Sequence, residues 1–321
     1  MAGNPSGSGL GRRSFLSGAA SLAAGSAFSR RPAGGEQPSS GFHFRLAMCN
    51  EAFASAGEKK SFAETCKAIR KAGYTGIEVA PFTLAEDPIA IPAGQRRDLS
   101  STMRSEGLTF AGLHWLLLAP KGLNVTTPDR AVRERSWRHM WNLIDFCADL
   151  GPGGVMTLGS PDQRSVGPGE SREEAGKYFT EGLAGIAPHA VERGVKVAIE
   201  TFTQRPNVVA RTLEEAVAMV RKIASPGIQT MFDCNNASQE KEPHAALVDR
   251  YFEFIKHVHL TETGGPYPGT GSYDYKPVLK VLRRRGYSGW LSLEVFDFSA
   301  GAGRIAQDSF QYMQAEIARL G

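Results

Sequence analysis

Glu200, Asp233, His259 and Glu294 each stand at or near the end of a short apolar run: Val197-Ala198-Ile199-Glu200, Met231-Phe232-Asp233, His257-Val258-His259-Leu260 and Leu291-Ser292-Leu293-Glu294. Three carboxylates and one imidazole make a hard, oxygen-rich donor set that suits Mn, Mg or Co better than a structural zinc. Three carboxylates brought together would repel one another, and a divalent cation among them removes that repulsion. Taken singly, each has an ordinary reading; His259 alone could be a hydrogen-bonded core histidine. Four in succession point to a metal site. The expected cofactor is one divalent ion, manganese first, with magnesium, cobalt or zinc as alternatives.

These residues need elements to bring them together. From residue 44 onward, short apolar runs alternate with longer amphipathic stretches. The runs that read as strands are 44–50, 75–80, 108–114, 154–159, 195–200, 228–233, 254–260 and 289–295. Helical patterns fall between them at 61–72, 130–150, 171–193, 212–224 and 274–285, with a closing helix near 303–320. Glycine recurs at the helix-to-strand joints, at Gly73, Gly107, Gly194 and Gly286, where a left-handed cap turns the chain into the next strand. Apolar strands separated by helices imply parallel pairing with both faces covered. Eight such units predict an α/β fold of one domain, a (β/α)8 TIM barrel over residues 41–321. A doubly wound sheet would carry a Gly-rich phosphate loop after its first strand, and Cys49-Asn50-Glu51-Ala52-Phe53 is not one.

In such a barrel the active site is built at the carboxyl ends of the strands. Asn50/Glu51, Glu78, His114 and Thr157 occupy those ends in the first four runs, ahead of the four donors in the second four.

The four C-terminal motifs resemble those of the xylose-isomerase-like barrels of the sugar isomerase/epimerase superfamily. Pro268-Gly269-Thr270-Gly271-Ser272-Tyr273-Asp274-Tyr275 is similar to the Gly-rich loop before that family's last helix and strand, and Gly286-Tyr287-Ser288-Gly289-Trp290 to its lead into strand eight. The likeness spans roughly residues 44–320. It implies a divalent metal held by Glu200, Asp233, His259 and Glu294, and, as in the family's ketose 3-epimerases, two glutamates flanking the substrate as an acid–base pair.

The chemistry fits such a pair. Removing the proton next to a sugar carbonyl leaves an enediolate, whose charge a chelated metal stabilises as a Lewis acid. One carboxylate takes the proton and a second, on the opposite face, can return one. Opposite-face return inverts a stereocentre; one base shuttling between adjacent carbons isomerises. The expected activity is therefore isomerisation or epimerisation of a ketose, aldose or related hydroxy-carbonyl compound, with Glu200 and Glu294 as catalytic residues.

The chain departs from the family pattern at two places. Asn236 stands where many relatives carry a substrate-touching His, and Thr261-Glu262-Thr263 stands where many have Lys-Asp. Asn236 can still hydrogen-bond a sugar hydroxyl but cannot become cationic. Glu78, His114, Trp115 and Arg205 complete the expected substrate contacts, Trp115 by stacking on a sugar face.

A lyase or dehydratase is the nearest alternative, since the same enediolate can expel a leaving group from the β carbon, as in keto-sugar or keto-glycoside cleavage. A metal-dependent endonuclease would need more strand-end histidines than His114 and His259. A noncatalytic sugar-binding barrel has no need of two bases.

Composition agrees with a small-molecule enzyme. The chain has 321 residues, with 37 Lys+Arg against 33 Asp+Glu and 41% hydrophobic residues. Arg12, Arg13, Arg30 and Arg31 all precede the first acidic residue, Glu36, and without them the remainder balances at 33 of each sign. A nucleic-acid binder would carry a basic surplus there, so none is expected as partner. The expected partner is a small sugar, with a second copy of the chain as a further candidate. Cys49, Cys66, Cys147 and Cys234 form no C-x-x-C pair and read as buried free thiols.

Residues 1–40 read as an export signal and linker. Arg12-Arg13-Ser14-Phe15-Leu16, followed by the weakly apolar stretch 18–28, resembles a twin-arginine signal and predicts a periplasmic protein exported already folded. No segment approaches ~18 uninterrupted apolar residues, so no membrane span is expected.

Overall fold

Apolar periodicity becomes a closed wheel of strands. The computed structural model describes residues 42–55 and 60–321; the export signal expected over 1–40 lies outside them. The strands are β1 (Arg45–Cys49), β2 (Gly76–Val79), β3 (Thr109–Leu113), β4 (Val155–Leu158), β5 (Lys196–Ile199), β6 (Ile228–Asp233), β7 (Ile255–Leu260) and β8 (Trp290–Leu293). They pair in parallel in sequence order, and β8 pairs with β1 to close the barrel. Every strand falls inside the run that the sequence predicts. The single-domain (β/α)8 architecture follows.

Around the barrel lie α1 (Glu51–Ser55), α2 (Phe62–Ala72), α3 (Ala93–Ser105), α4 (Arg130–Leu150), α5 (Arg172–Glu192), α6 (Leu213–Ile223), α7 (His244–Arg250), α8 (Lys276–Arg284) and α9 (Ala302–Ala318). Their starts are chemically marked. Ser61 and Glu64 form a reciprocal capping box on α2, and Asp129, Ser171 and Thr212 each accept a backbone N–H at the start of α4, α5 and α6. Helix α6 shows the amphipathic logic: Leu213, Ala216, Val217 and Val220 recur at helical spacing and are buried against the barrel.

The joints behave as their glycines require. Gly73 closes α2 at φ 115°, and a Cβ there would also collide with the Phe310 ring of α9. Three helices are additions to the sequence reading: the five-residue α1, together with α3 and α7. Helix α3 buries only Ser100 and Met103, so its sequence carries little apolar periodicity. Helix α7 is seven residues long and buries Leu247 and Val248 alone.

Alternation along the strands sends every second side chain into the barrel interior. Two small apolar groups, Ala47/Ala111/Trp290 and Val155/Ala198/Met231, are separate from the main core. Two residues further along the strands the interior turns polar: Cys49, Thr157 and Ser292 follow Ala47, Val155 and Trp290. The next step reaches the carboxyl ends, and the donors. All four cysteines are buried and free, as the sequence predicts. Among the described residues no helix is long and apolar enough to cross a membrane.

Candidate active site

The four donors converge. Asp233 and His259 are register partners on β6 and β7, while Glu200 and Glu294 stand one residue beyond β5 and β8. One ligand atom from each lies within 4.8 Å of the others. His259 Nδ1 is 3.0 Å from Glu294 Oε2, and 3.8 Å from both Glu200 Oε1 and Asp233 Oδ2. Glycine at 159 makes room for this arrangement, because any Cβ there would strike Glu200 Oε2.

Each donor is held from behind. Asp233 Oδ1 accepts from the Asn236 backbone at 2.5 Å and from Thr261 Oγ1 at 2.8 Å. Its other oxygen, Oδ2, is buried without a hydrogen-bond partner, an arrangement that costs free energy unless something fills the gap. Glu200 Oε1 accepts from Asn236 Nδ2 at 2.8 Å. Below it, the fully buried Arg164 donates to the carbonyls of Gly159 (2.8 Å), Val209 (2.7 Å) and Glu200 itself. Arg164 thus ties the loop after β4 to the loop after β5 and fixes the backbone that carries Glu200.

The electrostatics are those of crowded, buried carboxyls that a cation would relieve. Burial, with Glu294 adding to it, raises the Glu200 carboxyl to about 8. Burial and Glu294 likewise raise Asp233 to about 7. Burial alone would lower His259, but Glu78 and Glu294 override it and hold the imidazole well above its usual value. Without a counter-ion the carboxyls therefore keep protons that ordinary carboxylates have lost. A divalent ion with donors about 2.0–2.2 Å away spans at most about 4.4 Å between opposite donors, so the cluster needs only slight contraction to hold one. The donor set, the orphaned Asp233 Oδ2 and the raised carboxyl pKa values all fit such an ion.

Beside the cluster a cavity is lined by His114, Trp115, Ser160, Phe202, Phe296 and the two glutamates. Trp115 and Phe296 meet edge to face with ring centroids 6.5 Å apart, and Phe296 is 48% exposed. These rings offer apolar walls for the C–H faces of a sugar. Trp115 (φ 53°), Ser160 (φ 44°) and Ala210 (φ 59°) hold left-handed backbone without being glycine. Such strain persists where surrounding structure over-determines a functional loop; here Ser160 Oγ accepts the Leu117 N–H at 3.1 Å, locking the loops after β3 and β4 together.

His114 is the residue that sequence reasoning left half described. It lines the cavity, and its Nε2 lies 2.7 Å from Oε2 of the buried Glu51. Burial would lower this imidazole, but Glu51 overrides it and raises His114 to about 9. Glu51 itself was legible only as a strand-end residue.

Other expected contacts sit elsewhere. Arg205 is exposed on the loop after β5 and pairs with Asp162 at 3.2 Å, outside the cavity lining, because loop turn and ion pair direct it to solvent. Asn236 faces Glu200 and Asp233, so it braces the carboxylates. Glu78 is not at the mouth; it is 0% exposed and lies beneath His259 in the barrel interior. Burial would raise its carboxyl, but His257 and His259 override that and hold it well below the usual carboxylate range. His257 was missed, although it precedes His259 by one strand period and so had to share its face. Glu262, noted as a departure, accepts the backbone N–H groups of Gly269 and Tyr273, both at 3.0 Å, and so shapes the Gly-rich loop.

Comparison with known proteins agrees with this geometry. A D-psicose 3-epimerase of Agrobacterium fabrum is 27% identical over 238 residues, covering 73% of this chain and 78% of its own. An inosose dehydratase of Klebsiella pneumoniae is 22% identical over 274 residues, 78% of this chain and 87% of its own. The solved structure of an L-ribulose 3-epimerase shares the fold with a TM-score of 0.73 at 18% identity, covering 87% of this chain and 96% of its own. The family model described as xylose isomerase-like TIM barrel matches residues 66–316, from α2 to α9 and through every donor of the cluster. By that match, and by the eight parallel strands that close in sequence order, the chain belongs to the xylose isomerase-like TIM barrel family.

Proposed function

We propose that this protein is a divalent-metal-dependent sugar epimerase or isomerase that moves a proton next to the carbonyl of a ketose or related hydroxy-carbonyl compound. The observation that carries the reading is the gathering of Glu200 and Glu294, from β5 and β8, with Asp233 and His259 within 4.8 Å at the carboxyl end of the barrel. When bound there, a divalent ion supplies Lewis-acid stabilisation of the charge that develops on the sugar oxygens. Glu200 and Glu294 act as base and acid, one taking the proton and the other returning it. Burial and Glu294 hold the Glu200 carboxyl at about 8 in the ion-free site, and a bound cation would lower it toward the operating pH, where a general base works best. Trp115 and Phe296 exclude water from one side of the substrate. Names of relatives support a sugar substrate of this kind, among them D-psicose 3-epimerase and inosose dehydratase.

The test is turnover in deuterated water with a panel of ketoses, keto-acids and 3-keto-glycosides, followed by NMR. An epimerase or isomerase gives product carrying solvent deuterium on the carbon next to the carbonyl. A panel in which no accepted substrate gains deuterium ends the proton-transfer reading.

A second reading, a dehydratase or lyase, is favoured by the Glu51–His114 pair. A cavity-lining imidazole raised to about 9 is protonated at neutral pH and can give its proton to a departing hydroxyl or alkoxide. The same NMR experiment separates the two: elimination yields an unsaturated or deoxy product and a released leaving group, epimerisation neither.

The proposal includes export through Arg12-Arg13, with metal loading before translocation of the folded chain. Replacing both arginines by lysine is expected to retain the protein in the cytoplasm. Unimpaired periplasmic recovery of that variant would remove the twin-arginine route.

A further inference from the structure

Glu78 comes from β2 and lies across the barrel from β7, yet its carboxylate is the partner of two β7 histidines. His257 Nε2 is 2.7 Å from Glu78 Oε2, and His259 Nε2 is 3.2 Å from the same oxygen and 3.3 Å from Oε1. Thr157 Oγ1 donates to Oε1 at 3.3 Å and Cys49 Sγ to Oε2 at 3.6 Å. An ionised carboxylate can only accept, and all four of these neighbours are able to donate. Glu78, His257 and His259 are each 0% exposed, so no water competes for the hydrogen bonds. A buried carboxylate is tolerable only when its oxygens are satisfied in this way.

The consequence falls on the other edge of the His259 ring. To bind a cation the imidazole must be neutral, with one proton, so its two nitrogens cannot then both donate or both accept. If Nε2–H donates to Glu78, the lone pair must be on Nδ1, which faces Glu294 (3.0 Å), Glu200 (3.8 Å) and Asp233 (3.8 Å). The opposite tautomer would set a lone pair against the carboxylate of Glu78 and a proton where a cation would bind. We propose that Glu78 is a positioning residue that fixes the Nε2–H tautomer of His259 and so reserves Nδ1 for the divalent ion, with His257 anchoring the Glu78 carboxylate from below. Outer partners of metal-bound histidines act by this means and raise the basicity of the ring. The inference rests on the metal reading above. It also explains why a carboxylate at the end of β2 is turned inward, away from the substrate contacts expected of it.

The experiment uses the full chain and manganese as probe. Isothermal titration of the wild type is expected to give about one ion per chain, and Glu78→Gln is expected to bind it ~10–100-fold more weakly with an unchanged far-ultraviolet circular dichroism spectrum. A second measurement needs no variant. In magnesium-loaded protein with 15N-labelled histidine, the His259 ring is expected to carry its proton on Nε2, strongly hydrogen-bonded. This reading decides the matter if Glu78→Gln does not fold. Unchanged affinity in a folded Glu78→Gln variant overturns the role of Glu78 and leaves the metal site standing, whereas a proton on Nδ1 in the loaded wild type overturns that role and removes His259 from the ligands. A wild type that binds no divalent ion overturns both.

Discussion

Glu200→Gln and Glu294→Gln are each expected to lower kcat by a factor of about 10²–10⁴, the contribution of a positioned acid or base. Glutamine keeps an oxygen where the carboxylate had one but cannot hold the transferred proton. Each variant also alters a donor to the proposed ion, so occupancy must be measured alongside and restored with excess metal. A deficit that persists at full occupancy is the chemical one. The two variants should differ in kind as well. With bases on opposite faces of the sugar, loss of one leaves exchange at the other, so a single variant should wash solvent deuterium into the substrate without inverting the centre. Both variants retaining full activity at full occupancy would remove the glutamates from the chemistry.

Stripping the divalent ion is expected to abolish activity, and Asp233→Ala and His259→Ala are expected to weaken binding by more than the ~10–100-fold that outer partners cost. Binding should also be linked to protons. In the ion-free protein, burial and Glu294 hold Glu200 at about 8 and Asp233 at about 7. Near pH 7 the cluster therefore retains protons that a cation must expel, from Glu200, from Asp233 and from Nδ1 of His259. Affinity should rise with pH from about 6 through 8 and beyond, because His259, held well above its usual value by Glu78 and Glu294, keeps a proton that the cation must also displace. Titrations in buffers of different ionisation enthalpy measure the released protons directly. Stability of the ion-free protein runs the opposite way. A carboxyl whose folded pKa is raised binds more protons in the native state than in the unfolded one, so the ion-free protein loses stability from the ordinary carboxylate range up to about 7–8. Saturating metal should offset that loss, by about 2.7 kcal/mol at a hundredfold excess over Kd. Affinity that is flat across this pH range would show that the carboxyls are not the ligands.

The deeper part of the site is a lesson in what spacing cannot convey. Glu78 and His114 both read as strand-end residues with a place at the substrate. The structure separates them by depth: His114 lines the cavity, while Glu78 is turned into the barrel beneath His259. Nothing local distinguishes the two, because depth depends on where each strand sits relative to its neighbours as the barrel closes. The β2–β3 pair illustrates this, since its register shifts between Ile77 and Glu78. Arg164 had no signal of any kind; an arginine in a short loop is ordinarily solvated, and only the three carbonyls that converge on it explain its burial.

By itself, then, the sequence determined the eight strands, most of the helices and the four strand-end residues that cluster at one end of the barrel, because each of those is written in a local pattern: an apolar run, a helical period, a glycine joint, a polar residue closing a strand. It also determined that the donors would share one end of the barrel, since parallel strands all finish on the same side. Tertiary structure alone decided which groups stand behind the donors and which face the substrate. Glu78 meets His257 and His259 at sequence separations of 179 and 181 residues, and Glu51 meets His114 at 63. Such pairings are set by the closure of the barrel and by the need of each buried charge for a partner, and a buried charge can find its partner anywhere in the chain.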